Sequence, residues 1–320
     1  MNKPKILITG SGGFIGGNII RKLMFYKPNY EVCSIDLCKN PNVLNNVYNN
    51  KNHNFYIGNC ADAHFVNTVF DIEKPNIVLH LAAESFVDAS IADANPFIHS
   101  NVLGTQVMLD AALKWKVDKF IHMSTDEVLG QLTDESQSSW TEEAPLKPRN
   151  PYSASKAAAE FLVQAAHQTH GLNYVILRSC NNFGPRQHYR NFIPKTIRSI
   201  LNNEPVTIFG EGKQVREWIF VEDTYHALMT ILEKGKLNEI YNISTGFEFS
   251  NLEVFQKICN VMGTGHNSAN FVEDRKGHDY RYSLDSTKLR KLGWTPTWKF
   301  QKGLEQTIVW YVNNKWFFGK

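Results

Sequence analysis

Two carboxylates stand side by side in the stretch STDEVLG, Asp126 and Glu127, straight after the strand-like run KFIHM. The ordinary fate of adjacent acids is to cap or solubilise a loop. They also suit acid–base chemistry, because neighbouring carboxyl groups in unlike environments hold different protonation states, one as base and the other as acid. Further along, YSASK sets Tyr152 and Lys156 at i and i+4, which on a helix puts both side chains on one face. A free tyrosine titrates near ~10, and a lysine ammonium beside it favours the phenolate, a base able to take a proton from a hydroxyl. Taken alone, a Tyr-x-x-x-Lys match is more often an exposed pair on a helix surface.

The opening ILITGSGGFIGGNII reads as strand, glycine turn and helix, with Gly10, Gly13 and Gly16 spaced three apart. Gly10 permits the tight turn, Gly13 clears a side chain where backbone must approach a diphosphate, and Gly16 lets the helix pack closely on the strand. The helix N-terminus adds unpaired N–H groups and a positive dipole end. Asp36 follows the turn by about 20 residues, at the end of EVCSID, where a carboxylate accepts from a ribose 2′-hydroxyl and repels a 2′-phosphate. The pair of signals favours NAD over NADP, although Asp36 alone equally suits the start of a loop. Beside NAD, a tyrosinate can take a sugar hydroxyl proton while the hydride on the same carbon leaves for the nicotinamide.

These residues need a scaffold, and the chain supplies its rhythm. The runs KILITG, EVCSID, NFYIGN, NIVLHLAA, KFIHMST and NYVILRS alternate with helical patterns, which predicts an α/β fold: a doubly wound parallel sheet with a smaller second lobe. The expected division is an NAD-binding domain over 1–178, joined by 219–244, and a substrate lobe over 179–218 and 245–320. EIYNIST is the segment expected to return to the first sheet as another strand, and PVTIFGEGKQVREWIFVED reads as short strands around a Gly-x-Gly turn.

Composition excludes several classes. The chain has 320 residues, 42 % of them hydrophobic, which excludes disorder. Its 34 basic and 31 acidic residues give a net charge of +3, spread evenly, so nothing argues for nucleic acid or a membrane surface. No apolar run of about 18 residues and no leader-like start are present, and a cytosolic location is expected. The five scattered cysteines favour reduced thiols over a disulfide framework or a metal site.

TGSGGFIG, LHLAAES, STDEVLG, YSASK, RSCNNFGPRQ, VREWIFVED and RKGHDYRYSLD occur in this order over nearly the whole chain. Together they resemble the extended short-chain dehydrogenase/reductases, and more narrowly the nucleotide-sugar 4,6-dehydratases acting on dTDP-glucose or UDP-glucose. The resemblance implies a Rossmann fold, tightly held NAD, a homodimer, and a step towards rhamnose or another deoxysugar. It implies that Tyr152 and Lys156 run oxidation at sugar C4, that Glu127 is the base at C5 and Asp126 the acid at the C6 hydroxyl, and that Thr125 holds the C4 oxygen. It also implies cofactor contacts at Phe14, Ile15, Asn59, Cys60, Leu81, Ala82 and Ala83, and substrate contacts at Ser85, Asn181, Asn182, Arg216, Arg275 and Arg281. In dimers of this kind the helical segments 102–115 and 153–170 pair with their twofold mates, through residues such as Leu109, Ala112, Leu113, Phe161, Leu162 and Ala165. Phe86, Ala89 and Leu129 depart from the His, Arg and Tyr common in these enzymes, Asn59 and Cys60 depart from an Asp-Ile pair, and HYRNFIP replaces the usual Pro-Glu-Lys-Leu run. Two rivals stand beside this reading: a nucleotide-sugar 4-epimerase or decarboxylase, which needs no acid pair, and a silent NAD-binding scaffold.

Overall fold

The computed structural model describes residues 3–26, 30–38, 53–134, 136–274 and 277–319. Strands β1 (Lys5–Thr9), β2 (Glu31–Asp36), β3 (His53–Ile57), β4 (Ile77–His80), β5 (Lys119–Thr125) and β6 (Tyr174–Ser179) come first. They are followed by β7 (Asn181–Phe183), β8 (Val206–Phe209), β9 (Val215–Phe220), β10 (Glu239–Ile243), β11 (Glu248–Ser250) and β12 (Ala269–Val272). One seven-stranded sheet runs in the order β10-β6-β5-β4-β1-β2-β3, and every neighbouring pair in it is parallel.

The unbroken apolar runs of β1, β4 and β6 follow from this arrangement, since both faces of a parallel sheet are covered by helices. Successive side chains alternate between the faces. Ile6 and Ile8 pack with Ile19, Ile20 and Leu23 of the helix Phe14–Tyr26 and with Leu228 and Ile231 of the helix Val221–Lys234. Leu7, Val78 and Phe120 face the other way, against Val66 and Phe70 of Ala63–Glu73, Met108 and Ala111 of Gly104–Lys114, and Val163 of Pro151–His170.

EIYNIST does return to the first sheet: β10 pairs with β6. Within the Gly-x-Gly segment, β8 and β9 flank Gly210 and Gly212, whose φ angles of +55° and +70° make the turn. The two strands then join different sheets, β8 pairing with β12 and β9 lying between β7 and β11. All five cysteines are free. Among the described residues no helix is long and apolar enough to cross a membrane, and no group of three metal-ligating side chains occurs.

Strand order reverses between β1 and β4, because the chain steps outward through β2 and β3 and then returns to the other side of β1. Loops leaving the carboxyl ends of β1 and β4 therefore part and open a crevice, the usual ligand position in open α/β sheets.

Candidate active site

The crevice is floored by the glycine turn. Gly10 has φ +69°, and a Cβ there would lie 2.8 Å from the Ala82 nitrogen, while a Cβ on Gly16 would lie 2.3 Å from the Gly10 carbonyl oxygen. Both positions exclude any side chain. Thr9 Oγ1 accepts from the Leu81 and Ala82 N–H groups at 3.1 Å each, tying the loop after β4 to the end of β1. Asp36, at the end of β2, accepts from Gly12 N at 2.9 Å and from Cys38 N at 2.8 Å, so its carboxylate stands beside the glycine turn. Phe14 and Ile15 open the helix that follows the turn. Asn59 accepts from Ala61 N at 2.9 Å in a local turn, and burial pushes the Cys60 thiol up to about 12, which keeps it protonated. Ala83 is exposed in the loop. A bare backbone cradle ending in a carboxylate fits a dinucleotide with a free 2′-hydroxyl.

β5 delivers the acids. It ends at Thr125, and Asp126–Leu129 forms one tight helical turn. Asp126 is 3 % exposed. Its Oδ1 accepts from Glu127 N at 3.1 Å and Thr125 Oγ1 at 3.2 Å, whereas its Oδ2 is buried without a partner among the described residues. Burial, and then the Glu127 charge, push this carboxyl up to about 8, against the pull of Arg216. It therefore carries a proton at neutral pH. Glu127 instead faces a cavity of about 280 Å³ and accepts from Asn150 Nδ2 at 3.2 Å. Two adjacent carboxyl groups thus occupy unlike environments.

A raised pKa has a stability signature. Below the unfolded value of ~3.9 both states are protonated, and from there to about 8 the folded chain alone keeps the proton, so stability falls as pH rises through that window. Asp126→Asn removes this loss. The melting temperature of the variant relative to the parent should climb between about pH 4 and 8 and level off above. A difference that stays flat across the range would show that Asp126 ionises normally.

Asn150 and Ser153 form a capping box that starts the helix Pro151–His170, with Pro151 at its first turn. That helix carries Tyr152 and Lys156, both buried. Lys156 Nζ donates to the Met123 carbonyl at 2.6 Å and lies 3.2 Å from His122 Nε2, and burial holds it down at about 8. The protein's own groups oppose the phenolate expected at Tyr152. Burial and the Glu127 carboxylate push the phenol above its ordinary value, and only a hydrogen bond with the Thr125 side chain opposes them.

Thr125, Asp126, Glu127, Tyr152 and Lys156 thus converge, and the cavity beside Glu127 is also lined by Ser85, Asn181 and Arg216. Arg216 is held by the carbonyls of Val215 at 2.7 Å and Asp279 at 2.9 Å, with its guanidinium 4.5 Å from the Tyr282 ring centre. Two expected substrate contacts fall elsewhere. Asn182 turns inward, donating to Ser179 Oγ at 2.8 Å and accepting from Thr224. Arg281 spends its fork on Glu248, with NH2 at 2.8 Å from Oε1, and on the Gln137 carbonyl at 2.9 Å; it does not line the cavity. Arg275 lies outside the described residues.

Residues 6–244 match the family model described as NAD dependent epimerase/dehydratase family. The chain belongs to that family. It is 43 % identical to the low-salt glycan biosynthesis protein Agl12 of Haloferax volcanii, over 97 % of this chain and 99 % of the relative. It is 40 % identical to the dTDP-glucose 4,6-dehydratase of Haemophilus influenzae, over 97 % of this chain and 98 % of the relative. The crystal structure of DesIV, the dTDP-glucose 4,6-dehydratase of Streptomyces venezuelae with NAD bound, superposes with a TM-score of 0.94 at 37 % identity, covering 98 % of this chain and 99 % of that one.

For a member of the epimerase/dehydratase family, sequence reasoning missed Asn150, Lys195 and Tyr282, which also line the cavity, as does Arg190 of the departing HYRNFIP run. Asn150 was legible only as a helix cap before Pro151. Among the departures, Leu129 is explained by packing, since it is buried with Val128, Ala157 and Leu284. Phe86 lines the cavity with the Arg190 guanidinium 4.5 Å from its ring centre. Nothing in the structure explains Ala89.

Proposed function

We propose that this protein is an NAD-dependent nucleotide-diphosphate-glucose 4,6-dehydratase, a hydro-lyase acting on dTDP-glucose. The observation that carries the reading is the unlike acid pair, an Asp126 buried in the protein, where burial raises its carboxyl, beside a Glu127 that lines the cavity. An epimerase or decarboxylase of the same family has use for Tyr152 and Lys156 but none for these acids.

NAD, when bound, would supply a reversible hydride acceptor and a positive ring that would favour the Tyr152 phenolate. Tyr152 takes the C4 hydroxyl proton, with Lys156 supporting its negative charge and Thr125 holding the C4 oxygen. The C5 proton is then acidic because it lies α to the new ketone, and Glu127 removes it. Asp126 gives its proton to the C6 hydroxyl, which leaves as water. Glu127 then gives its proton back to C5, and with C6 reduced by the hydride the cofactor would return, the 4-keto-6-deoxy sugar remains. The diphosphate is met by Arg216, with Arg190 and Lys195 as further cations on the cavity wall. In this reading residues 1–178 and 219–244 hold the cofactor and bring Thr125, Asp126, Glu127 and Tyr152 to the sugar, and the remainder binds the rest of the sugar nucleotide.

Incubation with dTDP-glucose and, separately, UDP-glucose tests the reading by NMR of the product. A 4-keto-6-deoxyglucose nucleotide from dTDP-glucose is expected. A galactose nucleotide would transfer the chain to the epimerases, and no turnover of either nucleotide would leave a binding scaffold.

The glycine turn and Asp36 set cofactor choice. NAD should be used far better than NADP, and Asp36→Ala should narrow that gap, as read from the turnover supported by each cofactor. Equal use of both by the unmodified protein would refute it.

The proposal includes a homodimer built on the helical segments 98–114 and 151–170. Phe161 is 59 % exposed there, Ile98 50 % and Leu103 45 %, an apolar face that an isologous contact would cover. The contact set differs from the expected one, because Leu109 and Ala112 are fully buried in the protomer's own core. Light scattering at micromolar concentration should give a dimer, and Phe161→Glu a monomer. A monomeric parent would end the proposal.

A further inference from the structure

Lys156 rests on two neighbours from β5. Its Nζ donates to the Met123 carbonyl at 2.6 Å and lies 3.2 Å from His122 Nε2. An ammonium has three N–H groups and no lone pair, so two fixed contacts determine the direction of the third.

His122 has a counterpart that shows what is unusual about it. His80 sits opposite it on β4 in the parallel register, with ring centres 5.6 Å apart. Both nitrogens of His80 are engaged, Nδ1 with Thr9 Oγ1 at 2.7 Å and Nε2 with Thr105 Oγ1 at 3.1 Å. His122 is equally buried, yet its Nδ1 has no partner among the described residues. A neutral imidazole that accepts at Nε2 carries its proton on Nδ1. His122 therefore leaves a buried N–H orphaned, a cost that an apolar side chain in the same space would avoid. Among the described residues, the polar side-chain contact that offsets this cost is the one with Lys156.

We propose that His122 is a positioning residue for Lys156: its neutral imidazole accepts one N–H of the ammonium, keeps the amine charged inside the core and fixes the direction of the remaining N–H. The task of Lys156 rests on the dehydratase reading; the contact and its effect on the charge of Lys156 do not.

The other groups acting on Lys156 are accounted for. Burial opposes its charge, and Glu160 on the same helix supports it, although Glu160 is itself tied to Arg178 of β6 at 2.8 Å. His80 and His122 are both held neutral, by burial first and then by the Lys156 charge. Tyr152 precedes Lys156 by four residues and is kept as a phenol.

The test is a pH titration of the NAD-loaded protein carrying carbon-13 at lysine Cε, followed by NMR, with the Lys156 signal assigned by its loss in Lys156→Arg. The parent midpoint is expected below the ordinary lysine value of ~10.4, because burial opposes the charge. His122→Leu should lower it by about one pH unit, the worth of one hydrogen bond to a charged group. His122→Asn is too short to reach Nζ and should lower it as far, whereas His122→Gln keeps an acceptor near the Nε2 position and should leave it near the parent value. A residue that only fills space would change melting temperature in all three variants and move no midpoint. Should the Leu variant fail to fold, the Asn and Gln variants decide. Coincident midpoints in the Asn variant and the parent, or a Gln variant shifted as far as Asn, overturn the inference. Failure of the dehydratase reading would appear in the product assay and leave this titration untouched.

Discussion

Tyr152→Phe should stop the reaction before any NADH forms. The substitution removes only the hydroxyl, leaving a buried ring in the same helix and the Lys156 contacts with Met123 and His122 in place. What is lost is the acceptor for the C4 hydroxyl proton. Without it the C4 hydride cannot leave, because the oxygen cannot become a carbonyl while it keeps its proton. General base catalysis is typically worth ~10²–10⁴-fold, and a loss of that order is expected in the rate of NADH appearance. Substrate affinity should change little, since Arg216 and the other cavity cations are untouched. NADH forming at the parent rate would remove Tyr152 from the first step.

The acid pair should fail later. Asp126→Asn keeps the shape of a side chain whose Oδ1 already accepts from Glu127 N and Thr125 Oγ1, but the amide has no proton acidic enough for the C6 hydroxyl. Oxidation at C4 proceeds and water does not leave, so the ketone and NADH persist on the enzyme while product formation drops by ~10²–10⁴-fold. Glu127→Gln should stall at the same stage for the opposite reason, because nothing then removes the C5 proton. In D₂O the two variants separate: exchange at C5 slows in Glu127→Gln and continues in Asp126→Asn. Equal exchange in both would mean that Glu127 is not the C5 base.

The sheet was legible in the sequence because its central strands are buried on both faces, which favours the continuous apolar stretches ILI, IVL and VIL within β1, β4 and β6. The glycine turn was legible because the requirement is steric and local: Gly16 meets the Gly10 carbonyl oxygen. Residues whose roles depend on rotamers and distant partners were not. Nothing in RYSLD tells that Arg281 will find Glu248 on β11, or in CNNFG that Asn181 faces the cavity while Asn182 turns towards Thr224. The protonation of Tyr152 was misjudged for a related reason. A spacing of four residues reveals a nearby ammonium, but not the burial and the Glu127 charge that oppose ionisation of the phenol. His122 carried no sequence signal at all, since a histidine inside KFIHM reads as one more strand residue.

A single turnover of Asp126→Asn with dTDP-glucose tests the division of labour most directly, with NADH absorbance recorded beside release of product. The account predicts that NADH rises to nearly one equivalent of enzyme sites and stays there while the 4-keto-6-deoxy product forms slowly or not at all. If NADH appears and decays as in the parent, and the 4-keto-6-deoxy sugar is released at a near-normal rate, the acid role of Asp126 and the dehydratase mechanism built on it are contradicted.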